Sequence, residues 1–459
     1  MPSGTKRERL ASRLGFILLS AGCAIGIGNV WRFPYVTGQS GGGLFVLVYL
    51  FFLAVLGVPV LTMEFASGRA AQRSIAKLHD ALTPGRRGWS LHGVAGTLGN
   101  VMLMMFYTTV AGWMVLYFLK MLSGSFAGLG SDQVGAVFSD MLASPWQQVA
   151  AMLGVCAGAV SVCAIGLQRG LERVSKVMML ALLALIVVLA VNSVFLEGAE
   201  KGLRFYLRPD FAQAKKIGFA TVAFNAMNQS FFTLSLGIGA MSIFGSYIDK
   251  RHTLFGEAVN VAVLDTVVAV CAGLIIIPAC FAYGVEPGQG PGLIFVTLPN
   301  VFNHMPFGRL WGALFFVFMS FAALTTVLAV FETIIASVRD YTGMSRGRAC
   351  LLLGVAMPLL SLPCVLGFNV WAGFQPFGAG SGVLDFEDFV VSDLLLPLGS
   401  LAFALYCCHR FGWGWKNFVA EANEGVGLRL PCGLRLYCGY VLPLVVVTIF
   451  VLGLVRRFA

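Results

Sequence analysis

The sequence predicts an all-α polytopic membrane protein, and three observations carry that prediction. Of its 459 residues, 58% are hydrophobic and only 11% are charged, whereas a soluble domain carries about a quarter charged residues. The apolar residues gather into eleven runs, each of about 20 residues or more and long enough to cross a hydrocarbon core of about 30 Å. Two of those runs, the first and the sixth, are interrupted at mid-depth by clustered glycines and polar residues. Backbone groups in hydrocarbon must be satisfied within the chain, and the runs are too long and continuous for barrel strands. A helical bundle follows.

In chain order the runs fall near 14–37, 43–68, 91–122, 148–166, 172–196, 217–247, 255–284, 309–341, 349–366, 388–409 and 436–455. The first is broken at Gly22-Cys23-Ala24-Ile25-Gly26-Ile27-Gly28-Asn29. The second to fifth are continuous, joined by the loop 69–90 and by polar stretches at 123–147 and 197–216. The sixth is broken at Phe231-Phe232-Thr233-Leu234-Ser235-Leu236-Gly237-Ile238-Gly239. The seventh carries a carboxylate, Asp265, and the eighth carries Thr325, Thr326 and Glu332 at similar depth. Charged side chains within a span are costly and mark function or pairing.

Each glycine costs a helix about 1 kcal/mol relative to alanine, so clusters at membrane depth need a reason. Close helix packing is one. The other is an unwound stretch whose freed amides and carbonyls face a cavity. Equivalent interruptions five spans apart, each with polar residues, favour unwinding and a transporter built from two inverted five-helix repeats plus an eleventh helix. The expected division is 1–13, an N-terminal segment with a gate; 14–216, the first repeat; 217–411, the second; and 412–459, a loop and the last span.

Basic residues set the orientation. With the N-terminus inside, 21 of the 31 Lys and Arg residues fall on the cytoplasmic side, among them Lys6, Arg73, Arg169, Lys250, Arg346 and Arg435. That bias predicts an inner-membrane protein with a cytoplasmic N-terminus, Arg456 and Arg457 being mild exceptions. The net charge of +10 therefore reads as topology, not nucleic-acid binding. Leu19-Ser20-Ala21-Gly22-Cys23 resembles a lipoprotein cleavage box, but ten further runs follow it. The eleven cysteines lack metal-type spacing and read as small buried hydrophobes, including the adjacent Cys407 and Cys408. With five histidines and no His/Asp or Ser/His cluster, an enzyme is not expected.

Gly26-Ile27-Gly28-Asn29-Val30-Trp31-Arg32-Phe33-Pro34-Tyr35, followed by Gly41-Gly42-Gly43, resembles the first-helix signature of the neurotransmitter:sodium symporter family. The match runs from about Lys6 to the eleventh span and is similar to the bacterial eleven-helix amino-acid branch. The resemblance implies one or two sodium ions per cycle. The first would take the carbonyl of Ala24, the side chains of Asn29, Thr233 and Asp265, and the substrate carboxylate. The second would take carbonyls of Gly22, Ile25 and Ala322 with the hydroxyls of Thr325 and Thr326. Such oxygen-rich sets suit hard cations.

By the same resemblance, the carboxylate of an amino acid would meet the amides of Ile27 and Gly28 at the positive end of a half-helix, with Tyr107 completing the contact. Its ammonium would meet the carbonyls of Ala24, Phe232 and Thr233 and the hydroxyl of Ser235. Cys23, Leu103, Phe232, Ile238, Thr326 and Val330 would form an apolar side-chain pocket. Gly26 stands where amine transporters carry Asp, so an amino acid is implied, hydrophobic or aromatic by the pocket, with a small neutral one as the alternative. A non-transporting sensor on the same fold is the other alternative. Arg32 and Asp388 match the external gate pair, and Arg7 and Asp340 the cytoplasmic one, with Tyr247 nearby. Three departures stand out. Asp265 replaces the common Asn and Ala269 stands in place of Ser, so no chloride is expected. Leu10 replaces a common Trp, and Leu180 a common Pro. The partners implied are the substrate and the lipid bilayer.

Overall fold

The computed structural model describes residues 8–284 and 292–458. Among them, nine helices are long and apolar enough to cross a membrane: Gly43–Ala71, Arg87–Ser123, Pro145–Ile165, Leu167–Val194, Leu254–Ala282, Gly308–Thr342, Arg346–Leu366, Val383–Cys408 and Cys432–Val455. A tenth span is a bent pair, Arg13–Ala24 and Gly28–Gln39, with 54° between its halves. The sixth expected run forms two shorter helices, Phe219–Thr233 and Ala240–Gly245. By length and composition the described residues thus hold up to ten candidate spans, and the first and sixth expected runs are both broken where the glycines cluster.

Local chemistry explains the breaks. Ser12 caps the first helix, its Oγ accepting from the Gly15 amide at 3.0 Å. Helical geometry is lost at Ile25 and resumes at Gly28 through a wide turn over Gly28–Arg32. In the sixth span Ser235, Gly237 and Gly239 all take positive φ, at 51°, 97° and 71°. That conformation costs glycine little and other residues more. At Gly237 a Cβ would also lie 2.2 Å from the Leu396 carbonyl oxygen, so span ten can approach this break only because no side chain is there.

Spans eight and three pack against each other along their length, and 78% of the most apolar window of span eight is buried. The same figure is 33% for spans four, five and eleven, which form a lipid-facing rim. The loops are more ordered than their polarity suggested. Ile75–Leu82, Ser131–Ala143, Ala199–Leu207, Phe211–Ile217 and Trp415–Ala422 are short helices. All eleven cysteines are free. Not all are buried: Cys432 is exposed in the turn Cys432–Leu434 before the last span, and Cys271 is half-buried.

Candidate functional site

The two breaks face each other, and the polar residues flanking them meet in the buried centre. Asn29, Thr233 and Asp265 are all fully buried. The Asn29 Nδ2 donates to Thr233 Oγ1 at 2.9 Å and to Asp265 Oδ1 at 2.8 Å. Thr233 Oγ1 in turn donates to Asp265 Oδ2 at 2.9 Å, and the Tyr49 hydroxyl lies 3.5 Å from that same oxygen. The Asn29 Oδ1 faces the other way and accepts from the Gly26 amide at 3.1 Å. A cation held beside Asp265 by the amide oxygen of Asn29 therefore requires that amide to turn over, exchanging N for O.

A second polar knot ties span one to span eight. The Thr326 hydroxyl lies within hydrogen-bond range of four carbonyl oxygens: Gly22 at 3.2 Å, Ala322 at 3.3 Å, Ile25 at 3.4 Å and Cys23 at 3.5 Å. One hydroxyl proton cannot serve all four, so the site has more acceptors than donors. Such an excess of oxygen lone pairs suits a hard monovalent cation. Thr325 stands beside it, its hydroxyl bonded back to Phe321 and Ala322 at 3.0 Å each. That back-bond is an ordinary helix contact which ligation would have to break.

Between the knots lies a small cavity lined by Cys23, Ala24, Gly26, Gly28, Leu103, Tyr107, Phe232, Ser235, Thr326 and Leu396. Its volume is about 20 Å³, on the order of one water molecule, so an amino acid enters only if a wall moves. Tyr107 and Phe232 are the walls in the way. The Ile27 amide donates to the Tyr107 hydroxyl at 2.9 Å, so the tyrosine accepts from the same N–H that a carboxylate would use. The Phe232 ring lies over Gly28, where a Cβ would be 2.5 Å from the ring edge. Of the expected pocket, Ile238 and Val330 are buried but do not line this cavity. The Ile238 carbonyl instead accepts from Asn100 at 2.8 Å, and its side chain packs on Gly99. Leu396, in span ten, is the lining residue that the sequence reading missed.

Phe232 separates this cavity from a vestibule of about 210 Å³ that reaches toward the face opposite the N-terminus. The vestibule is lined by Trp31, Arg32, Tyr35, Phe106, Asp385 and Asp388 among others. The Arg32 guanidinium sits 4.4 Å over the Phe232 ring, a favourable cation–π distance. Its ion-pair partner differs from expectation: Arg32 reaches Asp393 at 4.0 Å, one helical turn beyond Asp388. Asp388 accepts from the Ser392 hydroxyl at 2.6 Å and faces the vestibule without closing on Arg32.

The face that carries the N-terminus is sealed. Glu8 pairs with Arg339 at 3.4 Å and Arg346 at 3.5 Å. Arg346 also pairs with the fully buried Glu332, which accepts from the Tyr247 hydroxyl at 2.7 Å. Glu172 accepts from the Ala11 amide at 2.8 Å and the Ser12 hydroxyl at 3.0 Å. Arg13 pairs with Glu257 at 2.8 Å. Arg7 lies outside the described residues. Asp340, its expected partner, pairs with Arg73 at 3.5 Å and accepts from the Ser74 amide and hydroxyl at 2.7 Å each. A single pair was expected at this face, whereas the described residues form a network centred on Glu332 and Arg346. Its members are scattered over distant parts of the sequence, with no local motif to announce them.

Comparison with known proteins gives the chain's relatives. The pattern of the sodium:neurotransmitter symporter family matches residues 7–129 and 136–458. An uncharacterized sodium-dependent transporter of Bacillus subtilis is 37% identical over 423 residues, covering 92% of each chain. Another, from Haemophilus influenzae, is 31% identical over 459 residues, covering 98% of each. The crystal structure of MhsT in complex with L-phenylalanine superposes with a TM-score of 0.88 at 37% identity, covering 97% of this chain and 99% of that one.

Proposed function

Because this chain belongs to the sodium:neurotransmitter symporter family, and is thus a multi-pass, sodium-dependent transporter, not an enzyme, we propose that it imports a hydrophobic or aromatic L-amino acid by alternating access. The observation that carries this reading is the apolar lining of Cys23, Leu103, Phe232 and Leu396 beside the break of span one, where the Ile27 amide donates to a side chain, Tyr107, and not to the helix. An amino-acid carboxylate would take over the Ile27 amide from Tyr107 and turn the tyrosine hydroxyl into a donor. Its ammonium would sit against carbonyls of the two breaks and the Ser235 hydroxyl. The binding of L-phenylalanine by MhsT, 37% identical, supports the substrate class. Residues 14–216 and 217–411 then act as the two inverted repeats, with the N-terminus in the cytoplasm of a cell whose inner membrane holds the protein. Competition of each of the twenty amino acids against sodium-driven uptake tests the class. Inhibition confined to charged or small polar amino acids would overturn it.

Sodium and substrate are coupled in this reading because they share ligands. The substrate carboxylate would complete a sodium shell with Asn29, Thr233, Asp265 and the Ala24 carbonyl. A second sodium would sit where the Thr326 hydroxyl meets the carbonyls of Gly22, Ile25 and Ala322. Asp265 supplies a fixed negative charge at the first site, so transport should not need chloride. Replacing chloride with gluconate is expected to leave sodium-driven uptake within about twofold, a difference of about 0.4 kcal/mol. A large fall would remove Asp265 from that role.

A further inference from the structure

A second binding groove lies on the other side of span ten from the vestibule. Asp385, Glu387 and Asp388 are three carboxylates within six residues, Val383–Asp388. One residue turns a helix by about 100°, and Glu387 points away from its neighbours' cavity. Asp385 caps its own helix by accepting from the Gly382 amide at 2.7 Å, and Asp388 accepts from Ser392. Glu387 has no such partner. It is 2% exposed, among the described residues no donor or cation reaches it, and its Oε2 is buried without a hydrogen bond. A buried carboxylate left so is costly unless it takes up a proton or a cation comes to it.

Among the described residues, Glu387 is the only charged one lining a groove of about 580 Å³. The remaining walls include Met102 and Met105 of span three and the rings of Trp371, Phe374 and Phe386. The outer rim at Val370 and Phe374 is exposed, in the stretch that joins spans nine and ten. An inorganic cation would want several oxygens, and this groove offers one carboxylate. Three rings and two thioethers around that single negative charge suit an organic ammonium, which gains from ring faces as well as from the carboxylate. The length of apolar wall suits a hydrocarbon body behind it.

We propose that this groove binds an organic ammonium carried on an apolar body. Its source is either the amine headgroup of a membrane lipid or a free hydrophobic amine. The site is independent of the transported substrate, and it sits on the helix that carries Asp388. The test uses the full chain in phosphatidylglycerol nanodiscs, whose headgroup carries no ammonium, titrated with octylamine or with 1-octanol, which has the same tail and no charge. The expected result is a saturable rise in the unfolding midpoint with octylamine that octanol does not give. Glu387→Gln should abolish that rise. Gly373→Phe, at a lining glycine with nothing within 4 Å of its Cβ position, should fill the groove and abolish it with Glu387 intact. If phosphatidylethanolamine nanodiscs start from the raised midpoint and respond no further, the lipid amine is the occupant. If they respond as before, a free amine is. Equal shifts from octylamine and octanol, or a full octylamine response in Glu387→Gln, would overturn the proposal.

Discussion

At Gly26 a single added carbon would sit 2.2 Å from the Tyr107 hydroxyl and 2.6 Å from Thr326 Oγ1. The position therefore bears on both the Tyr107 hydroxyl, proposed to meet the substrate, and the carbonyl knot around Thr326. Overpacking of this kind costs about 1–3 kcal/mol, so Gly26→Ala is expected to weaken amino-acid binding by about tenfold or more. Gly26→Asp adds a carboxylate where the substrate's own belongs, and like charges juxtaposed cost several kcal/mol. Equilibrium binding of radiolabelled amino acid to purified protein checks both, and ordinary affinity in Gly26→Asp would place the substrate elsewhere. Much of this site was legible at the residue scale because Gly26, Asn29, Tyr107, Thr233 and Thr326 are out of character in apolar spans. Leu396, Ile238 and Val330 were not, because they look like any other core residue. Which of them reaches the cavity depends on the rotation of spans six, eight and ten about their axes, and apolar sequence does not encode that locally.

At the scale of elements, the two broken spans could be read from glycine spacing, since nothing else explains their cost. What holds the sixth break in place could not. The Gly237 amide donates to Glu64 Oε1 at 2.6 Å, and the Gly237 carbonyl lies 3.2 Å from His92 Nε2. His92 Nδ1 is 3.3 Å from His79 Nε2, and the His79 ring packs on Trp89 and Tyr406. These contacts link distant segments and leave no periodic trace. His79 sits in the short helix Ile75–Leu82, outside the spans. Burial, with a smaller push from His92, holds it well below the ordinary histidine value, so it stays neutral in the folded chain. The unfolded chain takes up that proton below about pH 6.5, so stability is lost as the pH falls through that value. His79→Gln should flatten the fall in thermal midpoint between about pH 6.5 and 5. An unchanged acid slope would mean that other groups govern it. The surface helices were missed for a simpler reason: at seven to thirteen residues they are too short to give a spanning run.

The whole molecule is asymmetric across the membrane, sealed at the N-terminal face and entered by a vestibule at the other. The seal rests on Arg346, which pairs with Glu332 and Glu8 and donates to the Cys163 carbonyl at 2.7 Å. Arg346→Ala would strand a fully buried Glu332, a loss of about 3–5 kcal/mol where such pairs are broken. The expected outcome is a lower thermal midpoint and faster alkylation of cysteines introduced below the site. An unchanged midpoint would show the network to be incidental. The fold class was readable because lipid forces long apolar runs, whereas the sealing network was not, because it exists only once distant segments meet. The central claim is that sodium drives amino-acid accumulation through this chain. Purified protein in proteoliposomes should concentrate apolar or aromatic L-amino acids above equilibrium under an inward sodium gradient. Replacing sodium with potassium should reduce uptake to passive leak, whereas equal accumulation in potassium would contradict the account.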